Sequence, residues 1–82
     1  LTPKEDAQQS LATVKEIVCR LLSIEDISED QDIYQAGLTS IMVLPLLAEI
    51  EESFQLTIPD DDFLNARTPA ALAQLVQKIS SN

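Results

Sequence analysis

The sequence predicts an all-α fold, a bundle of three main helices and one short helix with a long loop between the first two. Three observations carry that prediction. Apolar residues recur at three- and four-residue spacings in separate segments, the period of a helix with one buried face. Thr2-Pro3 and Thr68-Pro69 each pair a capping residue with a proline, the signature of a helix beginning. The chain is 45% hydrophobic but only 4% aromatic, so its core must be built from Leu, Ile, Val and Ala, which suits helices packed on helices.

Each element follows in order. In "TPKEDAQQSLATVKEIVCRLL", Thr2, Pro3 and Glu5 suit the cap, first-turn and third positions of a capping box. Leu11, Val14, Ile17, Val18, Leu21 and Leu22 then mark one buried face. Cys19 lies beside that face and reads as a small, half-buried core residue. From Ser23 to Thr39 the period lapses into an acidic loop with isolated apolar anchors at Ile24, Ile27, Ile33, Tyr34 and Leu38. So long a loop in a small domain is usually functional or disordered, and the anchors favour an ordered, functional one.

A second helix should begin at Thr39 or Ser40, both good capping residues, and run through "IMVLPLLAEIEESF". Val43, Leu44, Leu47, Ile50 and Phe54 are available for its core face. Pro45 falls inside it, removing one hydrogen bond and crowding the preceding turn, so a kink or an irregular first turn is expected. "IPDDDFLNAR" gives a short acidic helical turn whose Phe63 and Leu64 close one side of the core. Behind Thr68 and Pro69, Leu72, Leu75, Val76 and Ile79 follow at helical spacing until "SSN" ends the last helix. With no repeat, low-complexity tract or linker, residues 1–82 are expected to form a single domain with capped ends.

Charge and composition exclude several classes. Fourteen acidic against five basic side chains give a net charge of −9, which repels nucleic acid and anionic membranes and attracts basic surfaces. No apolar run is long enough to cross a bilayer, and "LTPKEDAQQS" lacks the features of a signal peptide. A single cysteine allows no intrachain disulfide and fits a reducing compartment, so the expected location is cytoplasmic. An enzyme fits poorly, because there is no histidine, no cysteine–base pair and no glycine-rich phosphate loop. No metal site is expected either. Asp30 and Asp32 fail the EF-hand pattern, since Gln35 stands where its glycine belongs, and read as solvated loop carboxylates. Asp60, Asp61 and Asp62 are better used in capping a short helix than in holding an ion.

The stretch "YQAGLTSIMVLPLL" holds the only glycine of the chain, Gly37, three residues before Ser40. A serine where a helix begins has an exposed hydroxyl, unfilled backbone N–H groups beside it and the positive end of the helix dipole behind it. Such a place suits a phosphate ester, and a glycine there lets the incoming loop turn sharply and another protein approach closely. On these residues alone, two readings stand: a modification site, or a serine that caps a helix after a glycine that turns a loop.

Resemblance covers most of the chain. A capped amphipathic helix, an acidic loop ending "DIYQAGL", "TSI" opening a second helix, "AEIEESFQLTIPDDD" and a last helix behind "TP" together resemble the acyl and peptidyl carrier protein family. In that family a serine in a G-x-[D/H/T]-S-[L/I/M] sequence carries a 4′-phosphopantetheine arm, and the stretch here reads Gly37-Leu38-Thr39-Ser40-Ile41. The resemblance implies Ser40 as the attachment point, Thr39 where fatty acid carriers most often have aspartate, and Ile41 as an apolar partner contact. Glu49, Glu51 and Glu52 match the acidic part of the second helix, and Ile58-Pro59-Asp60 its terminating loop. Met42 and Pro45 stand where many fatty acid carriers have acids, and Met42 reads as either a core filler or a contact.

By the same resemblance, a phosphopantetheinyl transferase would have the Ser40 hydroxyl take the phosphate-linked arm from coenzyme A, whose nucleotide part leaves, with magnesium helping to neutralise the transferring phosphate. The arm's thiol would hold an acyl or aminoacyl group as a thioester for a loading ligase and for downstream synthase or transferase enzymes. Encounters would be fast, weak and salt-sensitive, and the carrier itself a monomer. A fatty acyl chain would lie among Leu44, Leu47, Ile50, Phe63 and Leu72, whereas an aminoacyl group would stay outside. The lack of acidic residues directly after Ser40 argues against ordinary fatty acid synthesis, and "DIYQAGLTS" resembles specialised, stand-alone carriers, including ones charged with amino acids, in a lipid, polyketide or peptide pathway. The alternative is an unmodified acidic helical module that binds a partner through Ile41 and Met42.

Overall fold

In the computed structural model, residues 3–80 are described, with side chains from residue 8 onward. Among these described residues four helices follow one another: α1 (Pro3–Leu22), α2 (Ser40–Phe54), α3 (Asp60–Asn65) and α4 (Pro69–Ser80). Among the described residues there is no strand. The all-α bundle of three main helices and a short one is therefore what forms, with residues 23–39 as the long connection. The side-chain capping box at Thr2 and Glu5, and the final Ser81 and Asn82, lie outside the described residues. Also among the described residues, no helix is long and apolar enough to cross a membrane.

The outer helices obey their sequence period. Val14, Ile17 and Val18 are buried on α1, and Leu72, Ala73 and Val76 on α4. These two helices form the main packing pair, with α2 laid against α1 and α3 against α4. Buried Ser10 adds a polar tie across the pair, its hydroxyl accepting the Gln77 side-chain N–H at 2.7 Å. Cys19 packs half-buried against the core, and burial, helped by the Asp26 charge, raises its thiol's pKa above the ordinary value. Thr68 caps α4 as expected, its hydroxyl accepting the Ala71 N–H at 3.1 Å, with Pro69 in the first helical position.

Three expectations need correction. On α2 the buried face is Leu46, Leu47 and Ile50, with Val43 and Phe54 partly covered, whereas Leu44 is 72% exposed. Leu46 and Leu44 are two residues apart, which turns them to opposite sides of a helix with 3.6 residues per turn. Leu64 likewise stays about half in solvent, at 48% exposure, and Phe63 alone fills the core from α3. Pro59, not an aspartate, occupies the cap of α3, and Asp60, Asp61 and Asp62 form its first turn without a capping bond, acting through charge on the helix dipole.

Candidate functional site

Everything near Ser40 depends on how the long loop delivers the chain to α2. Ile27, Ile33 and Leu38 are buried and Ile24 and Tyr34 half-covered, so the expected anchors do hold the loop to the core. Asp32 organises the segment that follows it. One carboxylate oxygen accepts the Tyr34 and Gln35 backbone N–H groups at 2.8 and 3.2 Å, and the Ala36 N–H reaches the Asp32 carbonyl at 3.0 Å. The result is a single helical turn with Asp32 as its cap.

Gly37 ends that turn. Its φ of +129° lets the Leu38 N–H reach the Ile33 carbonyl at 3.0 Å while its own N–H reaches the Tyr34 carbonyl at 3.2 Å. This pair of bonds, with Ile33 and Leu38 buried together, is a Schellman closure of the turn. A Cβ on residue 37 would meet open space, so the constraint lies in the backbone alone.

Arg67 locks the turn from the other side of the molecule. Its guanidinium donates to the second Asp32 oxygen at 2.9 Å and lies 4.4 Å from the centre of the Tyr34 ring, and its carbonyl accepts the Ile33 N–H at 2.8 Å. The Arg67 bond and the two backbone N–H groups hold the Asp32 carboxyl below its ordinary pKa, although burial opposes them. Asp32 is thus the hub of the loop, not the solvated carboxylate expected from sequence. Two further bonds, from the Ala70 N–H to the Glu29 carbonyl and from the Gln31 N–H to the Ser28 carbonyl, complete the clamp.

With Leu38 pinned, Thr39 is extended (φ −106°, ψ 166°) and occupies the cap position, and Ser40 is the first helical residue. Reading Ser40 as the cap is therefore replaced. The Thr39 side chain makes no capping bond, so the Ser40 and Ile41 N–H groups at the start of α2, which have no acceptor within a helix, are left open. Met42 N–H closes on the Thr39 carbonyl at 2.9 Å, a tight three-residue turn, after which the helix runs unbroken through Pro45. Ser40 is exposed, and no acidic residue stands in its turn, in contrast to the three aspartates that open α3. An exposed hydroxyl, open N–H groups and an uncompensated dipole fit a phosphate ester.

Gly37, Leu38, Thr39, Ser40 and Ile41 thus meet at one junction, with Ile41 85% exposed and Met42 half-buried against the core. The glutamates stand apart, beginning about 13 Å down the helix. Glu49 is paired with Arg20 of α1, raising the Arg20 pKa by that hydrogen bond and charge, and Glu51 accepts the Ile58 N–H at 2.8 Å. Glu52 alone of the three faces solvent uncommitted to such a bond. Leu47, Ile50, Phe63 and Leu72 are consolidated in the core, whereas Leu44 lies outside it with Pro45 and Ala48. A hollow of about 540 Å³ opens instead between α1 and α4, over Leu11, Ala70 and Ala73. The exposed apolar run Ile41, Leu44, Pro45 and Ala48 was not legible as a surface, because nothing polar interrupts residues 41–48 to mark which side faces water.

Comparison with known proteins places the chain in a defined neighbourhood. The family described as "Phosphopantetheine attachment site" matches residues 12–76. The non-reducing polyketide synthase Preu3 of Preussia isomera is 35% identical over 79 residues, 94% of this chain and 3% of the synthase. The hybrid PKS-NRPS synthetase pynA of Aspergillus niger is 31% identical over 74 residues, 89% of this chain and 2% of that protein. Clavatol synthase claF of Penicillium crustosum is 29% identical over 68 residues, 80% of this chain and 3% of its own length. The chain therefore spans a few hundredths of the length of the curated relatives it matches.

Proposed function

This chain belongs to the phosphopantetheine attachment-site family, an acyl carrier protein family, and from that membership we propose that Ser40 carries the 4′-phosphopantetheine arm on one carrier domain of residues 1–82. Such an arm supplies a terminal thiol on which an intermediate is held as a thioester. The chain's own residues do no bond chemistry in this reading. Asp32, Gly37 and Arg67 fix the junction, Thr39 turns the chain into α2, and Ser40 offers its hydroxyl at a helix start free of competing charge. That exposed, uncommitted hydroxyl is the observation that carries the assignment.

Among the acyl and aminoacyl cargoes that the sequence leaves open, the relatives favour a polyketide intermediate, since Preu3 is named as a polyketide synthase and pynA as a hybrid PKS-NRPS synthetase. The partners in this reading are a phosphopantetheinyl transferase and the loading and condensing units of a synthase. Long-range attraction comes from the net charge of −9, whereas the contact beside Ser40 is apolar, through Ile41 and Leu44.

Intact-mass spectrometry after incubation with coenzyme A, magnesium and a broad-specificity phosphopantetheinyl transferase tests the assignment. A gain of one phosphopantetheine on the natural chain, absent from the Ser40→Ala variant, is expected. No gain on folded protein with several such transferases would sink the reading and favour an unmodified interaction module instead.

A further inference from the structure

The exposed residues at the start of α2 form a compact block. Helix positions three and four apart are neighbours, so Ser40 stands beside Leu44, Ile41 beside both Leu44 and Pro45, and Ala48 continues the row by one turn. All five are exposed. Ile41 and Leu44 are the two most exposed large hydrophobic side chains described, and no acid stands in the first turn.

Pro45 gives this apolar face a polar point. Having no N–H, it deprives the Ile41 carbonyl of the donor that an ordinary residue four positions on would supply, and its ring crowds that same carbonyl. A suitable occupant is therefore uncharged and apolar, with a hydrogen-bond donor close to its apolar part. The arm itself has that chemistry, a dimethyl-substituted carbon next to a hydroxyl and followed by amide N–H groups. A group tethered at Ser40 is also held at high effective concentration over the block, which no free ligand matches.

We propose that Ile41, Leu44, Pro45 and Ala48 form a resting track for the arm on Ser40, with Ile41 and Leu44 beneath its dimethyl carbon and the Ile41 carbonyl accepting from its hydroxyl or nearer amide. This rests on Ser40 being the attachment residue. Partner docking over Ile41 and Leu44 would displace the arm from the track, so the residues that hold it at rest also release it on encounter.

The test is NMR on isotope-labelled protein before and after modification, with intact mass establishing the arm on Ser40 in every sample. The expected result is amide shift changes reaching Leu44 and Ala48, and nuclear Overhauser contacts between the arm's dimethyl protons and the Ile41 and Leu44 methyl groups. Leu44→Gln should abolish those contacts, and Pro45→Ala, which returns an N–H to the Ile41 carbonyl, should weaken them. Changes confined to residues 39–41 and identical in both variants, on fully modified protein, would overturn the track and leave the attachment standing. Absence of the mass gain on folded protein would overturn both.

Discussion

Three of the described residues hold a positive φ, and their side chains make them unequal: Gly37 at 129°, Ser23 at 59° and Gln55 at 55°. Each follows a helical turn. Ser23 ends α1, with the Ile24 N–H on the Cys19 carbonyl, and Gln55 ends α2, with the Leu56 N–H on the Glu51 carbonyl. Gly37→Ala should cost roughly 1–2 kcal/mol from backbone strain alone, because the space around it is open. Ser23→Gly should be neutral or stabilising by up to about 1 kcal/mol, because glycine relieves the left-handed conformation. Urea melts of the two variants check this, and a Gly37→Ala protein as stable as the original would refute the Schellman assignment. The threonines form a second contrast. Thr68→Ala should cost about 1 kcal/mol, since its hydroxyl holds the Ala71 N–H, whereas Thr39→Ala should cost only a few tenths, since its side chain makes no cap bond.

At the scale of the element, α2 presents two chemically similar faces with opposite duties. Leu46, fully buried, should cost about 2–5 kcal/mol when cut to alanine. Leu44→Ala should stay within about 0.5 kcal/mol and be felt in partner binding instead. Comparable losses for the two variants in thermal unfolding would refute this division of faces. This helix also marks the limit of what the sequence discloses. On α1 and α4 polar residues separate the apolar ones, so periodicity alone selects the inner face. Residues 41–48 are all apolar, and only burial in the core distinguishes Leu46 from Leu44. The Gly37–Ser40 spacing located the candidate site, but Thr39 and Ser40 are both good caps, and their division of roles was settled by where Leu38 is buried. Asp32 as the loop's hub was unreadable, because its partner Arg67 lies 35 residues away.

Across the whole molecule, much of the positive charge is turned inward on its own chain: Lys15 pairs with Asp26 at 3.7 Å, Arg20 with Glu49, and Arg67 with Asp32. The surface that remains is strongly acidic, while the face beside Ser40 is apolar. Raising salt should therefore slow association with a basic partner and leave dissociation nearly unchanged, as stopped-flow or surface-binding kinetics would read. A dissociation rate that climbs steeply with salt would contradict this. Acid acts through Asp32, whose folded pKa is lowered chiefly by Arg67. Its contribution to stability is complete above the unfolded carboxyl value, about pH 4, and is lost as pH falls through the lower folded value. The stability difference between the natural chain and Asp32→Asn, measured by urea unfolding, should accordingly narrow as pH drops below about 4, and a constant gap would oppose the assignment.

The pairing of α1 with α4 has a consequence for biosynthesis. Of these four helices the first to be made finds its main partner in the last, so its apolar face must wait through the making of the segment between them. A nascent chain halted before Pro69 should be readily digested by protease, and one extended past Ser80 protected, so this domain folds in a single late step and not helix by helix.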